Sequence, residues 1–129
     1  GDPRFEVPDV EVDRSGLSFT VDTLHHFAAR YPDDERFLLL GNDVLGTFDQ
    51  WKDPSQVVKL ARPVLLERGD DVEAPLPATM RDAGAIRLRT RRIDVSSTEI
   101  RERVRNGRSI KGFVTDGVAD YIARAGLYR

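Results

Sequence analysis

Ser96, Ser97 and Thr98, followed by Glu99, Ile100 and Arg101, bring three hydroxyls and a guanidinium into one short stretch. Ser96 and Glu99 have the spacing of a capping box, in which a serine hydroxyl accepts from the first-turn amide three residues on. A helix start also leaves backbone N–H groups free, and hydroxyls from Ser97 and Thr98 with Arg101 one turn further would make it a cradle for an anion such as phosphate. Cap and phosphate seat are both open readings of the same residues. A second stretch, "LGNDVLGTFDQW" (Leu40 to Trp51), puts Gly41 and an acid at the end of an apolar run. An ionised Asp43 only accepts hydrogen bonds, so it suits a pair of donating hydroxyls such as a ribose diol, and it suits equally the cap of "VLGTF". Trp51, the single tryptophan, is either core or a flat wall against which an aromatic ligand can stack.

Other polar groups carry less. His25 and His26 are adjacent and so point in different directions on a helix; an i, i+4 pair is what clamps one metal ion. The acids of Gly69 to Asp71 read as solvated loop, and Arg87, Arg89, Arg91 and Arg92 as the wet face of a strand. No residue is assigned a catalytic role as nucleophile, none is assigned to a metal, and with zero cysteines no thiolate exists.

These residues must be held by a fold, and 129 residues are enough for one ordinary domain with its own core. A net charge of −2 on a chain that is 33% charged, with the signs mixed, speaks against a general nucleic-acid or anionic-membrane binder. The apolar runs "FLLL" and "PVLL" are too short to span a bilayer and the start "GDPRFEV" lacks a secretory pattern, so a soluble protein is expected; the absence of cysteine is compatible with a reducing compartment, and a cytoplasmic location is the simplest expectation.

"FEVPDVEVD" alternates apolar residues around Pro8 and is expected to be extended, at a sheet edge or interrupted. "TVDTLHHFAARYP" places Val21, Leu24, Phe27, Ala28 and Tyr31 on one helical face, with Thr20 as its N-cap and Pro32 beyond its end. "RFLLLGND" and "PVLLE" read as buried parallel strands, separated by the helix "DPSQVVKLA" with Asp53 as cap and Pro54 in its first turn. Gly69 to Gly84 has no period and reads as loop; "AIRLRTRRIDV" reads as a half-exposed strand. Two closing helices, "SSTEIRERVRNG" and "TDGVADYIARAGLY", stop at Gly107 and Gly126. Strands alternating with helices predict an α/β fold with a mostly parallel sheet, whose ligands bind at the carboxyl ends of the strands.

Taken together and in order, "SFTVDTL", "GNDVLGTFDQW", "VSSTEIR" and "FVTDGVADYIARAGLYR" resemble the bacterial nicotinate-nucleotide adenylyltransferase family. The resemblance covers essentially the whole chain, with Phe19 in place of the family's tyrosine and Val95 in place of its isoleucine. It implies a Rossmann-like domain of the H-x-G-H nucleotidyltransferase superfamily that joins nicotinate mononucleotide to the AMP of ATP, giving deamido-NAD and pyrophosphate, with Mg2+ accompanying the ATP. It further implies that Ser97, Thr98 and Arg101 hold ATP phosphates and that Gly41 and Asp43 face the adenosine ribose. Trp51 would stack on the pyridine ring, with Thr20 near the nicotinate carboxylate. The family opens on a G-x-F-D-P-x-H-x-G-H segment, and no such stretch stands in this sequence. The expectation is therefore that residues 1–129 are the carboxyl-terminal two-thirds of a single adenylyltransferase domain, the N-terminal part being absent, and inactive alone. The alternatives are a non-catalytic nucleotide-binding remnant and a related transferase acting on nicotinamide mononucleotide or phosphopantetheine.

Overall fold

The computed structural model describes residues 2–68, 74–91 and 94–129. They divide into two compact units, one running to Arg91 and the other from Arg92 to Arg129. The acids at Asp70 and Asp71, the arginine Arg92 and Ile93 lie outside the described residues.

The first unit is built on three parallel strands, β1 (Phe37–Gly41), β2 (Arg62–Arg68) and β3 (Ile86–Thr90), in the order β1-β2-β3. Leu40 lies opposite Leu65, and Leu65 opposite Arg87. The parallel sheet expected from the two apolar runs is thus present. Helix α1 (Thr20–Arg30) precedes β1, α2 (Pro54–Leu60) joins β1 to β2, and α3 (Ala78–Asp82) comes before β3. Leu40 and Leu65 share a sheet face because residues opposite each other on neighbouring strands point to the same side, and on that face they meet Val21 and Leu24 of α1, Val57 of α2 and Met80 of α3. Phe48, Val57, Leu65 and Met80 are fully buried and form the centre of this core. Their removal from water is the main stabilising term of the unit.

Several sequence expectations need correction. Phe5 to Asp13 form no strand: Phe5, Val7 and Val12 are 77%, 92% and 83% exposed. Pro8 lacks the N–H a ladder requires, and the segment is tied down by side chains instead, the Thr23 hydroxyl donating to Glu11 Oε1 at 2.8 Å. Thr20 is the first helical residue rather than the cap, which is Phe19, and Phe19 makes no side-chain cap bond. Part of the expected loop is helical, since the fully buried Met80 ties Ala78–Asp82 to the core. Finally, Arg87 is not on a wet face. It donates to Glu67, which is only 6% exposed, and to the carbonyl of Ala74, because its side chain points to the same side of the sheet as Leu65. Arg89 and Arg91 are exposed as expected.

The opposite face of the sheet carries Leu39, Val64 and Ile86 in register, then Gly41, Leu66 and Leu88. Leu39 is 62% exposed and Leu88 49%, so β1 is not the buried strand its composition suggested. It lies at the edge of the described sheet, with one face covered.

The second unit pairs α4 (Ser97–Arg105) with α5 (Asp116–Ala125) around Ile100, Ile110 and Ile122. Gly126 closes α5 with a left-handed φ of 63°, the conformation that makes glycine the usual helix stop.

Candidate functional site

Three stretches singled out by their chemistry can be followed into the structure. In the first unit, Ser18, Phe19 and Thr20 at the start of α1 and Gln50, Trp51 and Lys52 before α2 line one cavity of about 310 Å³. That is the size of a small-ligand pocket. The structure therefore brings Thr20 and Trp51 together across a gap of some thirty positions of sequence, which follows from the packing of α1 against α2. Trp51 is partly held by the core and partly open to the cavity. Its ring centroid is 5.2 Å from that of the fully buried Phe48, so one side is held by the core, while the residue also lines the cavity.

A second cavity of about 370 Å³ adjoins Thr20 on the side of Leu24, Phe27, Phe37 and Leu38. Its walls are mostly apolar, and its basic residue, Arg36, is committed to the carbonyls of Leu60, Tyr31 and Asp34. The Trp51 cavity is the better match to a flat, charged ligand because it combines an aromatic ring with a cation, Lys52, whose charge is only partly matched. The Lys52 ammonium lies 4.8 Å from the centre of the Phe19 ring and 3.4 Å from Asp22 Oδ2. The sequence singled out neither Lys52, which lines this cavity, nor Asp22, its ion-pair partner. The available signal was a basic residue directly after the tryptophan.

At the carboxyl end of β1, Gly41, Asn42 and Asp43 turn out of the sheet into a single 3₁₀ turn, Asn42–Val44. A Cβ built on Gly41 would stand 2.6 Å from Asp43 Oδ1, so the absence of a side chain at 41 is what lets the carboxylate fold back over the strand end. Asp43 is exposed, as an acceptor of ligand hydroxyls must be, and it is not the N-cap of this turn, a place Gly41 takes. Asn42 Oδ1 is buried without a hydrogen-bond partner among the described residues.

In the second unit, Ser96 is the N-cap of α4, its Oγ accepting from the Glu99 N–H at 3.1 Å. The reciprocal half of a capping box is replaced by an ion pair, as the Glu99 carboxylate takes Arg103 Nε at 3.0 Å. Ser97 and Thr98 are exposed, and Arg101 bends back one turn to donate to Thr98 Oγ1 at 3.3 Å. The hydroxyls and the guanidinium thus share one end of α4, where the helix dipole and open amides favour an anion. No three His, Asp or Glu side chains converge among the described residues, which therefore offer no protein-built cage for a metal ion. His25 and His26 are exposed on α1. Among the described residues no helix is long and apolar enough to cross a membrane.

No family model matches the chain. Curated proteins do: one from Gemmatimonas aurantiaca, named "probable nicotinate-nucleotide adenylyltransferase", is 48% identical over 128 residues, covering 96% of this chain and 61% of its own length. A Thermus thermophilus protein of the same name is 39% identical over 130 residues, with 99% of this chain and 66% of the relative covered. The chain belongs to the nicotinate-nucleotide adenylyltransferase family. It spans 56% to 66% of the length of the curated relatives it matches, those from Gemmatimonas, Geobacillus, Dictyoglomus and Thermus included. Among solved structures, the Plasmodium falciparum nicotinic acid mononucleotide adenylyltransferase complexed with NaAD superposes with a TM-score of 0.64 at 19% identity, over 88% of this chain and 58% of that one. Its complex with APC gives 0.63. At that identity the likeness is one of fold, and it agrees with the α/β nucleotidyltransferase architecture expected from the adenylyltransferase motifs.

Proposed function

We propose that this chain supplies substrate-binding surfaces of an enzyme that transfers AMP from ATP to nicotinate mononucleotide, giving deamido-NAD and pyrophosphate. The observation that carries the reading is the 48% identity to a nicotinate-nucleotide adenylyltransferase over 96% of the chain. In the reaction, a phosphate oxygen of the mononucleotide attacks the α-phosphorus of ATP. The new P–O bond forms as the bond to the β-phosphate breaks, and pyrophosphate leaves with the electron pair. Nothing in this step calls for a protein nucleophile; it calls for two anions brought into line and their charge neutralised.

On this reading Ser97, Thr98 and Arg101 hold ATP phosphates, with the first-turn amides of α4 as further donors. Asp43, admitted over the strand end by Gly41, accepts from the adenosine ribose hydroxyls. Trp51 stacks on the pyridine ring, and Thr20 lies by the nicotinate carboxylate at the positive end of α1. Magnesium bound with the ATP would neutralise part of the charge on its phosphates.

Calorimetry of residues 1–129 with ATP and with nicotinate mononucleotide tests the proposal. Binding of both, without pyrophosphate release by these residues alone, is the expected result. Absence of heat with either mononucleotide or ATP overturns it.

A further inference from the structure

Resting on that reading of the Trp51 cavity, we propose that Lys52 is the residue that makes it select an acid mononucleotide over the corresponding amide. The two ligands share a ribose phosphate and a flat pyridine ring and differ only in whether the ring carries a carboxylate or a carboxamide. Stacking on Trp51 serves both equally, so it cannot discriminate. A charge aimed at the ring substituent does discriminate, because it meets a carboxylate in one ligand and a neutral carboxamide in the other.

Lys52 and Trp51, side by side in the chain, line the cavity together with Thr20. The Lys52 side chain is 48% exposed and is not spent on a tight ion pair; its contact to Asp22 is a single one at 3.4 Å. An ammonium has three donors, which leaves donors for a second acceptor. The face of Phe19 at 4.8 Å steers the ammonium toward the α1 side of the pocket without satisfying any of those donors.

Asp22 sharpens the effect. Its carboxylate is 38% exposed beside the cavity, and with Lys52 gone its negative charge would stand unopposed against an incoming carboxylate. Loss of the lysine therefore removes an attraction and uncovers a repulsion, both of which act on the acid ligand and hardly on the neutral amide.

Trp51 is the only tryptophan, so its emission reports this cavity directly. Residues 1–129 are titrated with nicotinate mononucleotide and with nicotinamide mononucleotide, as wild type, Lys52→Met and Lys52→Arg, with far-ultraviolet circular dichroism as the check on folding. The expected result is that Lys52→Met weakens the acid about fivefold, the scale of a partly exposed ion pair, and leaves the amide unchanged, while Lys52→Arg keeps the preference. An unchanged acid-to-amide ratio in Lys52→Met overturns the role of Lys52 and leaves the cavity standing. Equal weakening of both ligands also overturns it, since the lysine would then serve the shared phosphate. If neither mononucleotide alters Trp51 emission in the wild type, the cavity reading itself fails, and this proposal with it.

Discussion

Asp43 and Gly41 act as one unit. Because a Cβ at position 41 would stand 2.6 Å from Asp43 Oδ1, Gly41→Ala should swing the carboxylate off the strand end. The backbone there, at φ −79° and ψ 161°, is one any residue adopts, so the substitution strains nothing else. We predict that Gly41→Ala and Asp43→Asn weaken ATP binding by similar factors, about ten- to a hundredfold for a lost hydrogen bond to a charged acceptor, with unfolding midpoints close to wild type. Calorimetry and urea titration together check this. A loss confined to Asp43→Asn would show that the glycine is dispensable. The hydroxyls at the start of α4 separate in the same manner. Ser96 Oγ is engaged as the cap, so Ser96→Ala should cost about 1 kcal/mol of stability, read by urea unfolding. Ser97 is exposed, and Ser97→Ala should stay within about 0.5 kcal/mol of wild type while weakening ATP binding.

Strand β3 shows how an element is positioned by one charged pair. Arg87 reaches across to Glu67 on β2 and to the Ala74 carbonyl, so a carboxylate that is 6% exposed is matched by a cation. Arg87→Ala should destabilise the first unit by about 3 kcal/mol, because it leaves the Glu67 charge buried and uncompensated. The double substitution Arg87→Met with Glu67→Met should recover most of that loss, since replacing both partners by apolar groups removes the unpaired charge rather than stranding it. Urea unfolding followed by far-ultraviolet circular dichroism measures both, and a double variant as unstable as Arg87→Ala would argue that geometry at Ala74, not charge, is what matters. The arginine's place also explains why an alternating apolar and basic strand misleads. Its period correctly marks two different faces, but which face meets the helices depends on the register with Leu65, a contact over twenty residues away in the chain.

At the scale of the molecule, the described residues form two cores of unequal size. The first gathers side chains from α1, β1, α2, β2 and α3; the second rests on Ile100, Ile110 and Ile122 with a few flanking apolar groups. A segment of fewer than about 40 residues seldom buries enough to fold by itself. A peptide of residues 92–129 should accordingly show little helix in water at 25 °C, and circular dichroism of the peptide against the whole chain checks it. Strong helicity in the peptide would mean that local caps such as Ser96 and Gly126 suffice.

The local signals were legible in the sequence because their physics is local. The helix at Ser97, its Ser96 cap, the stop at Gly126 and the proline in the first turn of α2 all depend on neighbours within a few residues. The parallel sheet followed from two short apolar runs set between helices, and the family followed from four motifs kept in order. What the sequence alone could not decide was which side chains meet across long separations. Thr20 joins Trp51 and Lys52 in one cavity only because α1 packs on α2, and Arg87 turns inward only because of its strand register. Phe5, Val7 and Val12 look like strand residues in the chain, yet they are exposed and belong to no strand of the described sheet. Sequence thus determined the Ser96 cap, the Gly126 stop, the helical periods and the candidate hydroxyls and carboxylate. Tertiary packing decided which of them face a ligand, since burial and charge pairing are properties of a residue's surroundings and not of its type.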